Sequence, residues 1–389
     1  MVKSILKNNK VSTKNIIAIL VICVFFTFLY FFNKIEKVEL VNRNGVSYEK
    51  AVVSEILEDN IQEDGSRMGY QKIKVKILSG DLKKNEYEAT SFAGNLYGAN
   101  CVVGMKVIVG VSQYNNSFDL SVYSYDRSNV IYIFIALFLV MLWLIGGKKG
   151  FKSALGLIFT FICIVYLFLP MLYKGYSPFL SAVVVIILIT IVSLYLIDGI
   201  SKKSISAMIG TVVGVIIAGI FAAGFGYFSK ISGYNVSEVE ELVFIANNTE
   251  LQVGGILFAG ILIASLGAVM DVSMSIASTI NEIYIHNNNI SKRELFKSGI
   301  NVGKDMMGTM SNTLILAFTG GAINTIIINY SYSFKYNQLI NMYQVGIEIM
   351  QGVSGSLAIV LAVPLVSFIS AFLLTTDIKK GIAIISEYK

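Results

Sequence analysis

The sequence predicts an α-helical polytopic membrane protein of about eight transmembrane helices with one small all-β, OB-like extracytoplasmic domain. Three observations carry that prediction. Charged residues make up 14% of the 389 and hydrophobic residues 55%, whereas soluble domains carry about 25% charged residues. Apolar runs recur along the chain, many of them near the 20 or so residues needed to cross about 30 Å of hydrocarbon. The stretch 36–127 departs from that character and holds most of the long polar sequence.

The first element, 1–35, reads as a cytoplasmic tail and anchor helix. Lys3, Lys7, Lys10 and Lys14 precede an apolar run from Asn15 to Phe32, and the next residues, Asn33, Lys34, Ile35 and Glu36, offer no small-residue cleavage site. The run is therefore expected to remain as an anchor rather than to be removed as a signal.

The second element, 36–127, reads as a β-rich extracytoplasmic domain. Between Tyr70 and Ser79, Ile73, Val75 and Ile77 alternate with Lys72, Lys74 and Lys76, the period of a half-buried strand. Further strands are expected at 46–57, 86–92, 102–111 and 118–125, with turns near 80–81, 95–100 and 113–116. Five short strands in so few residues suit a small closed barrel. No aromatic stripe interleaves with a basic groove, so docking of an envelope protein partner, or a structural role, is expected of it rather than nucleic-acid binding.

The third element, 128–389, reads as a seven-helix transmembrane domain with apolar runs at 129–146, 152–173, 178–198, 205–228, 252–284, 306–330 and 353–375. Alternate connections are basic: Lys148, Lys149 and Lys152; Lys202 and Lys203; Lys292, Arg293, Lys297 and Lys304; Lys379, Lys380 and Lys389. The intervening connections are poor in Lys and Arg, and 229–250 is acidic. The positive-inside rule then places both termini in the cytoplasm and predicts a multi-pass protein of the cytoplasmic membrane. The same clustering explains the net charge of +6 without a nucleic-acid partner. The segment 336–351 reads as an amphipathic interfacial helix, Pro364 falls inside the last span, and Gly210-xxx-Gly214-xxx-Ala218 reads as a close helix contact.

Several chemistries are excluded. The three cysteines, Cys23, Cys101 and Cys163, form no CxxC pair, and His286 is the sole histidine, so HExxH zinc chemistry is absent. There is no GxxxxGK[ST] loop and no GxSxG elbow. The chain is expected not to be an enzyme and to need no cofactor.

The segment 252–316 is unlike lipid-facing helix. Asp271, Ser275, Ser278 and Glu282 share one helix face, as do Asp305, Thr309 and Asn312. Setting Asp271 against Asp305 also aligns Ser275 with Thr309, Ser278 with Asn312 and Thr279 with Thr313, a weak internal repeat about 34 residues apart. An acid at the bilayer centre costs roughly 2.5–3.5 kcal/mol on insertion scales and usually faces a cavity or a partner. Oxygen-rich stripes suit protons or hard cations, and which cation, a metal ion included, stays open. If both stripes enter the membrane they form inverted copies, as in transporters with broken helices. The other reading is structural: Asp271 near the cytoplasmic surface, 272–285 a cytoplasmic extension, and Asp305 capping the seventh span.

The stretches LGAVMDVSMSIAS (266–278), GKDMMGTMSNTLILAFTGG (303–321) and GSLAIVLAVPL (355–365), with GISKKSISAMIGT (199–211) more weakly, are similar to the YibE/YibF-like family of bacterial membrane proteins. The resemblance is expected to span the external domain and the later spans. It implies a polytopic protein of the bacterial cytoplasmic membrane, with motif residues at Asp271, Ser275, Asp305, Gly308, Asn312, Thr313 and Glu348. It implies no activity. The leading expectation is a secondary transporter or permease-like protein binding a small ion or small molecule at Asp271, Ser275, Ser278, Asp305, Thr309 and Asn312. The alternative is a non-transporting scaffold that docks an envelope protein through its β-domain.

Overall fold

The computed structural model describes residues 13–35, 37–40, 45–62, 67–92, 97–114 and 117–376. Lys3, Lys7, Lys10, Lys379, Lys380 and Lys389, on which part of the orientation rests, lie outside the described residues, as do the turn positions 95–96 and 115–116. The described residues form two compact units. One lies within Glu39–Ile145; the other gathers the N-terminal helix and the chain from Gly146 onward.

The first unit ends in the helical stretch 128–145 and holds a closed five-stranded barrel: β1 (Val46–Glu58), β2 (Tyr70–Ile77), β3 (Glu86–Phe92), β4 (Lys106–Tyr114) and β5 (Ser117–Tyr125). The order around it is β1-β2-β3-β5-β4, and β1 closes onto β4. Every pairing is antiparallel except β3 with β5. The alternation read from β2 holds: Ile73, Val75 and Ile77 are fully buried beside Ala51, Val53, Val107, Val109 and Leu120. The fourth strand begins later than expected, because Val103 and Gly104 form a turn with Gly104 at φ +85°.

Side chains hold the irregular chain between β3 and β4 against the barrel. Gln71 is fully buried; its Oε1 accepts from the Cys101 N–H at 2.8 Å and its Nε2 donates to the Cys101 carbonyl at 3.2 Å. Ser91 donates to and accepts from the backbone of Ala99. Gly98 sits at φ +86°, and an added Cβ would lie 2.0 Å from the Phe92 carbonyl oxygen, so glycine is required there. The β1–β2 connection is held by Asp59, whose Oδ1 accepts from Gln71 Nε2, Arg67 Nη1 and the Asn60 N–H. These donors, Gln71 foremost, hold the Asp59 carboxyl below the usual carboxylate range.

The second unit is helical. α1 (Thr13–Phe32) ends against a distant turn. α2 (Ser128–Cys163) is broken at Gly147 (φ 54°, ψ −134°), between the two apolar runs, and the unit boundary falls beside this break. Its second half continues through a π-helical turn, Ile164–Phe168, into α3 (Leu169–Tyr173). Pro170 has no N–H to give the Tyr166 carbonyl, four residues earlier. Asn33 Nδ2 donates to that oxygen instead, at 2.7 Å. Lys174 Nζ donates to the Phe32 carbonyl and lies 3.8 Å from the centre of the Phe32 ring.

The bundle continues with α4 (Pro178–Asp198), α5 (Lys202–Ser229), α6 (Val239–Asn248), α7 (Ile256–His286), α8 (Lys292–Gly321), α9 (Ile323–Ser331), α10 (Tyr336–Leu339) and α11 (Tyr343–Thr375). Five helical segments are long and apolar enough to cross a membrane, and six if α8 and α9 form one bent span. α5 packs against α7 and α11 through small residues. A Cβ on Gly210 would lie 2.2 Å from Val366, one on Gly214 2.9 Å from Val269, and Ala218 is fully buried. The Gly-xxx-Gly-xxx-Ala spacing is thus a close helix contact.

Two expected elements are redrawn. The run 306–330 is not one straight span: its helix starts at Lys292, and the axis turns by 63° between α8 and α9, after the pair Gly320-Gly321, where backbone restraint is weakest. The amphipathic segment 336–351 is not one helix either. The chain leaves helical geometry at Met342 (ψ 134°), and 343–351 opens α11, which runs on through Pro364.

Candidate functional site

α7 and α8 carry the two acidic stripes. α8 is started by Ser291, whose Oγ accepts from the Glu294 N–H while Glu294 Oε2 accepts from the Ser291 N–H, a reciprocal cap. Asp305 stands 13 residues beyond Lys292, about 20 Å along the axis at 1.5 Å per residue. It therefore caps nothing, and that reading is overturned. α7 is continuous to His286, with Ile276, Ala277 and Ile280 fully buried in the bundle core, so Asp271 lies midway along one unbroken helix.

Close contacts set the heights of these residues. A Cβ on Gly299 would lie 2.6 Å from Ile280, so the two antiparallel helices are level there. Counting back along α7 and forward along α8 puts Asp271 level with position 308, so the two acids differ in height by only about 5 Å. On its inner side α8 buries Leu295, Gly299, Gly303 and Leu314, and a Cβ on Gly303 would lie 2.2 Å from Val363 of α11.

The stripes face outward. Asp271, Asp305, Thr309 and Asn312 are exposed; Ser275 and Ser278 are half-buried. Thr309 Oγ1 donates to the Met306 carbonyl of its own helix at 3.0 Å. Among the described residues, the side chains of Asp271, Asp305 and Asn312 take part in no hydrogen bond or ion pair with protein groups. The structure thus brings the two acids to one height on neighbouring helices but does not enclose them. Two clefts open elsewhere: one of about 450 Å³ at the barrel, bordered by Val46, Glu49, Asp81 and Phe118, and one of about 390 Å³ bordered by Asn235, Asn341 and Tyr343.

Some features escaped the sequence. Thr190, Thr211 and Ser273 are fully buried in the helical core, and their hydroxyls lack a partner among the described residues. On the barrel, exposed Tyr48, Tyr97 and Tyr123 cluster, with ring centres 5.1 Å apart for Tyr48 and Tyr123 and 6.0 Å for Tyr97 and Tyr123. They come from β1, a loop and β5, so no local spacing could reveal them.

A bundle of long apolar helices, tied by glycine contacts and bearing outward acids at mid-length, is of the class suited to a bilayer. The family described as YibE/F-like protein matches residues 134–376, well over half of the chain, and the chain belongs to that family. The match starts beyond the barrel, which the resemblance had been expected to include. No curated protein and no solved structure matches the chain.

Proposed function

We propose that this is a multi-pass protein of the bacterial cytoplasmic membrane, acting as a secondary transporter or permease-like protein. Eight spans then follow from α1, the two halves of α2, α4, α5, α7, the bent α8–α9 pair and α11. Lys148, Lys149, Lys202, Lys203, Lys292 and Arg293 mark their cytoplasmic ends. The barrel stands outside, and its strand order with a parallel β3–β5 pair supports an OB-like identity.

The observation that carries the transport reading is the placement of Asp271 and Asp305 at one height, well inside their helices. In a bilayer neither acid can rest against hydrocarbon, so each needs water, a counter-ion or a partner. Ser275, Ser278, Thr309 and Asn312 add neutral oxygens along the same stripes, the donor set of a small hard cation or a proton relay. No bond-making chemistry is assigned, and the chain is read as a non-enzyme.

The test is a thermal-stability screen of the purified protein against cations, anions and small metabolites, beside Asp271→Asn/Asp305→Asn. A ligand of the folded state adds about 2.7 kcal/mol at a hundred times its dissociation constant. A shift lost in the double variant supports the site. Shifts and cellular phenotype both unchanged in that variant end the proposal.

The tyrosine cluster favours the second reading, a scaffold whose barrel docks an envelope protein. Under that reading, removing 36–127 abolishes function while both Asp→Asn changes are tolerated.

A further inference from the structure

The two ends of the barrel differ. β1 runs antiparallel to β4, β4 antiparallel to β5, and β3 parallel to β5. β1, β3 and β5 therefore run toward one end, where the β1–β2 connection, the β3–β4 connection and the exit into α2 all sit. That end carries Ile61, Met68, Tyr70, Phe92, Val102 and Val103, between 48% and 73% exposed. At the opposite end, among the described residues, Val46, Leu78 and Phe118 reach only 39%, 39% and 37%. The fold holds the exposed tips outward. Ile61 is bridged to Arg67, and the Met68 N–H donates to the Asn60 carbonyl at 3.0 Å. The turn at Val102 and Val103 is closed by the Met105 N–H on the Val102 carbonyl, and the Gly104 N–H ties it to the Val53 carbonyl of β1 at 2.8 Å. Grouped, exposed apolar side chains of this kind mark a contact surface.

The joint with α2 says what that surface meets. α2 starts at Ser128, with only Asp126 and Arg127 between it and β5. The joint is braced. The Asp126 N–H donates to the Lys106 carbonyl at 3.0 Å, Asp126 Oδ1 accepts from the Ser128 N–H at 3.1 Å, and Lys50 Nζ donates to Ser128 Oγ at 2.8 Å while lying 3.3 Å from Asp126 Oδ2. Every residue from Val130 to Ile135 is half exposed or more, so all sides of the helix are bare and apolar immediately beyond the joint. Chain reach and helical rise put Val130 within about 14 Å of the end of β5. The headgroup layer outside the hydrocarbon of one leaflet is about 5–8 Å thick. Connections that project past the strand ends fall within it.

We infer that this end of the barrel is seated in the outer headgroup layer of the membrane, with the β1–β2 and β3–β4 connections as its lipid-binding tips. The inference rests on α2 spanning the membrane, as proposed above, and is independent of transport. Continuity selects lipid as the occupant: the bare apolar helix leaves from the same end as the exposed tips. Moving those side chains out of water is favourable. Tyr70, whose ring centre is 6.4 Å from that of Phe92, is of the type enriched at membrane–water interfaces. The seat would fix the height of the barrel. It would also leave the cleft at Val46, Glu49, Asp81 and Phe118 facing away from the bilayer, open to whatever approaches from outside.

The test uses the full chain in bilayer discs of phosphatidylethanolamine and phosphatidylglycerol. Cys23, exposed on α1, is changed to Ala, while Cys101 and Cys163 are buried and retained. A fluorophore is attached at Met68→Cys or Val103→Cys on the tips, at Lys83→Cys, exposed at the opposite end, or at Ile133→Cys on α2. Quenching is read with iodide in the water and with nitroxide lipids labelled near the headgroup or near the chain end. The tips are expected to be quenched several times more strongly than Lys83→Cys by the headgroup-side nitroxide, and several times less by iodide. Ile133→Cys is expected to respond to lipid nitroxides alone. No lipid quenching at Ile133→Cys would mean that α2 does not span, and both readings would fall. Lipid quenching at Ile133→Cys with the tips matching Lys83→Cys would overturn this inference and leave the span intact. Tips shielded from iodide and nitroxides alike would mean that protein covers them, and would also overturn it.

Discussion

The barrel and the helical unit treat their polar groups in opposite ways. Gln71 and Ser91 are fully buried in the barrel, and each has its hydrogen bonds met by neighbouring backbone. In the helical unit Thr190, Thr211 and Ser273 are as deeply buried and Asp271, Lys304 and Asp305 are exposed, each without a partner among the described residues. The barrel satisfies its own chain. The helical unit also displays exposed acids that its surroundings must satisfy.

Breaking the barrel core should give the largest effect. Ile73→Ala removes a fully buried side chain from β2, and loss of buried Leu or Ile typically costs about 2–5 kcal/mol. Protease should then cut within the barrel, while the helical unit, with its separate core, keeps its melting temperature in detergent. If both units lose stability together, their independence is refuted.

A somewhat smaller effect sharpens the account of the bundle. Gly303→Ala drives a methyl group into Val363, and overpacking costs about 1–3 kcal/mol. Adding Val363→Ala should recover much of the lost melting temperature. No recovery would mean that α8 and α11 do not depend on that close approach.

The smallest effect is electrostatic and belongs to the barrel. The Asp59 carboxyl is held below its ordinary range by Gln71 first, with help from Asn60 and Arg67. A depressed carboxylate contributes stability that is complete above the unfolded value, about 3.9, and is lost as pH falls through the lower folded value. The urea midpoint of Asp59→Asn should therefore lie below that of the parent at pH 7. The difference should close toward pH 2. A constant difference across that range would point to packing instead.

Much of this was legible from local patterning. Period-two alternation identified β2, basic clusters marked the helix ends, and Gly210 and Gly214 announced a close crossing. What was missed depended on distant residues. The start of α8 was obscured because Lys292–Asp305 is too polar to read as a span, although Ser291 and Glu294 form a cap that spacing could have signalled. The stripes at Asp271 and Asp305 were identified on the correct helices. Their shared height was hidden because it depends on Gly299 meeting Ile280. The tyrosine cluster depends on barrel closure, which no short window contains.

The Asn33 contact has a consequence for the order of assembly. The carbonyl that Asn33 serves belongs to Tyr166, 133 residues later in the chain. At about 5–20 residues per second, synthesis of that stretch takes on the order of ten seconds. The whole β-domain is made in the interval. The first helix must wait through that time for its docking partner, so its placement follows the synthesis of the β-domain.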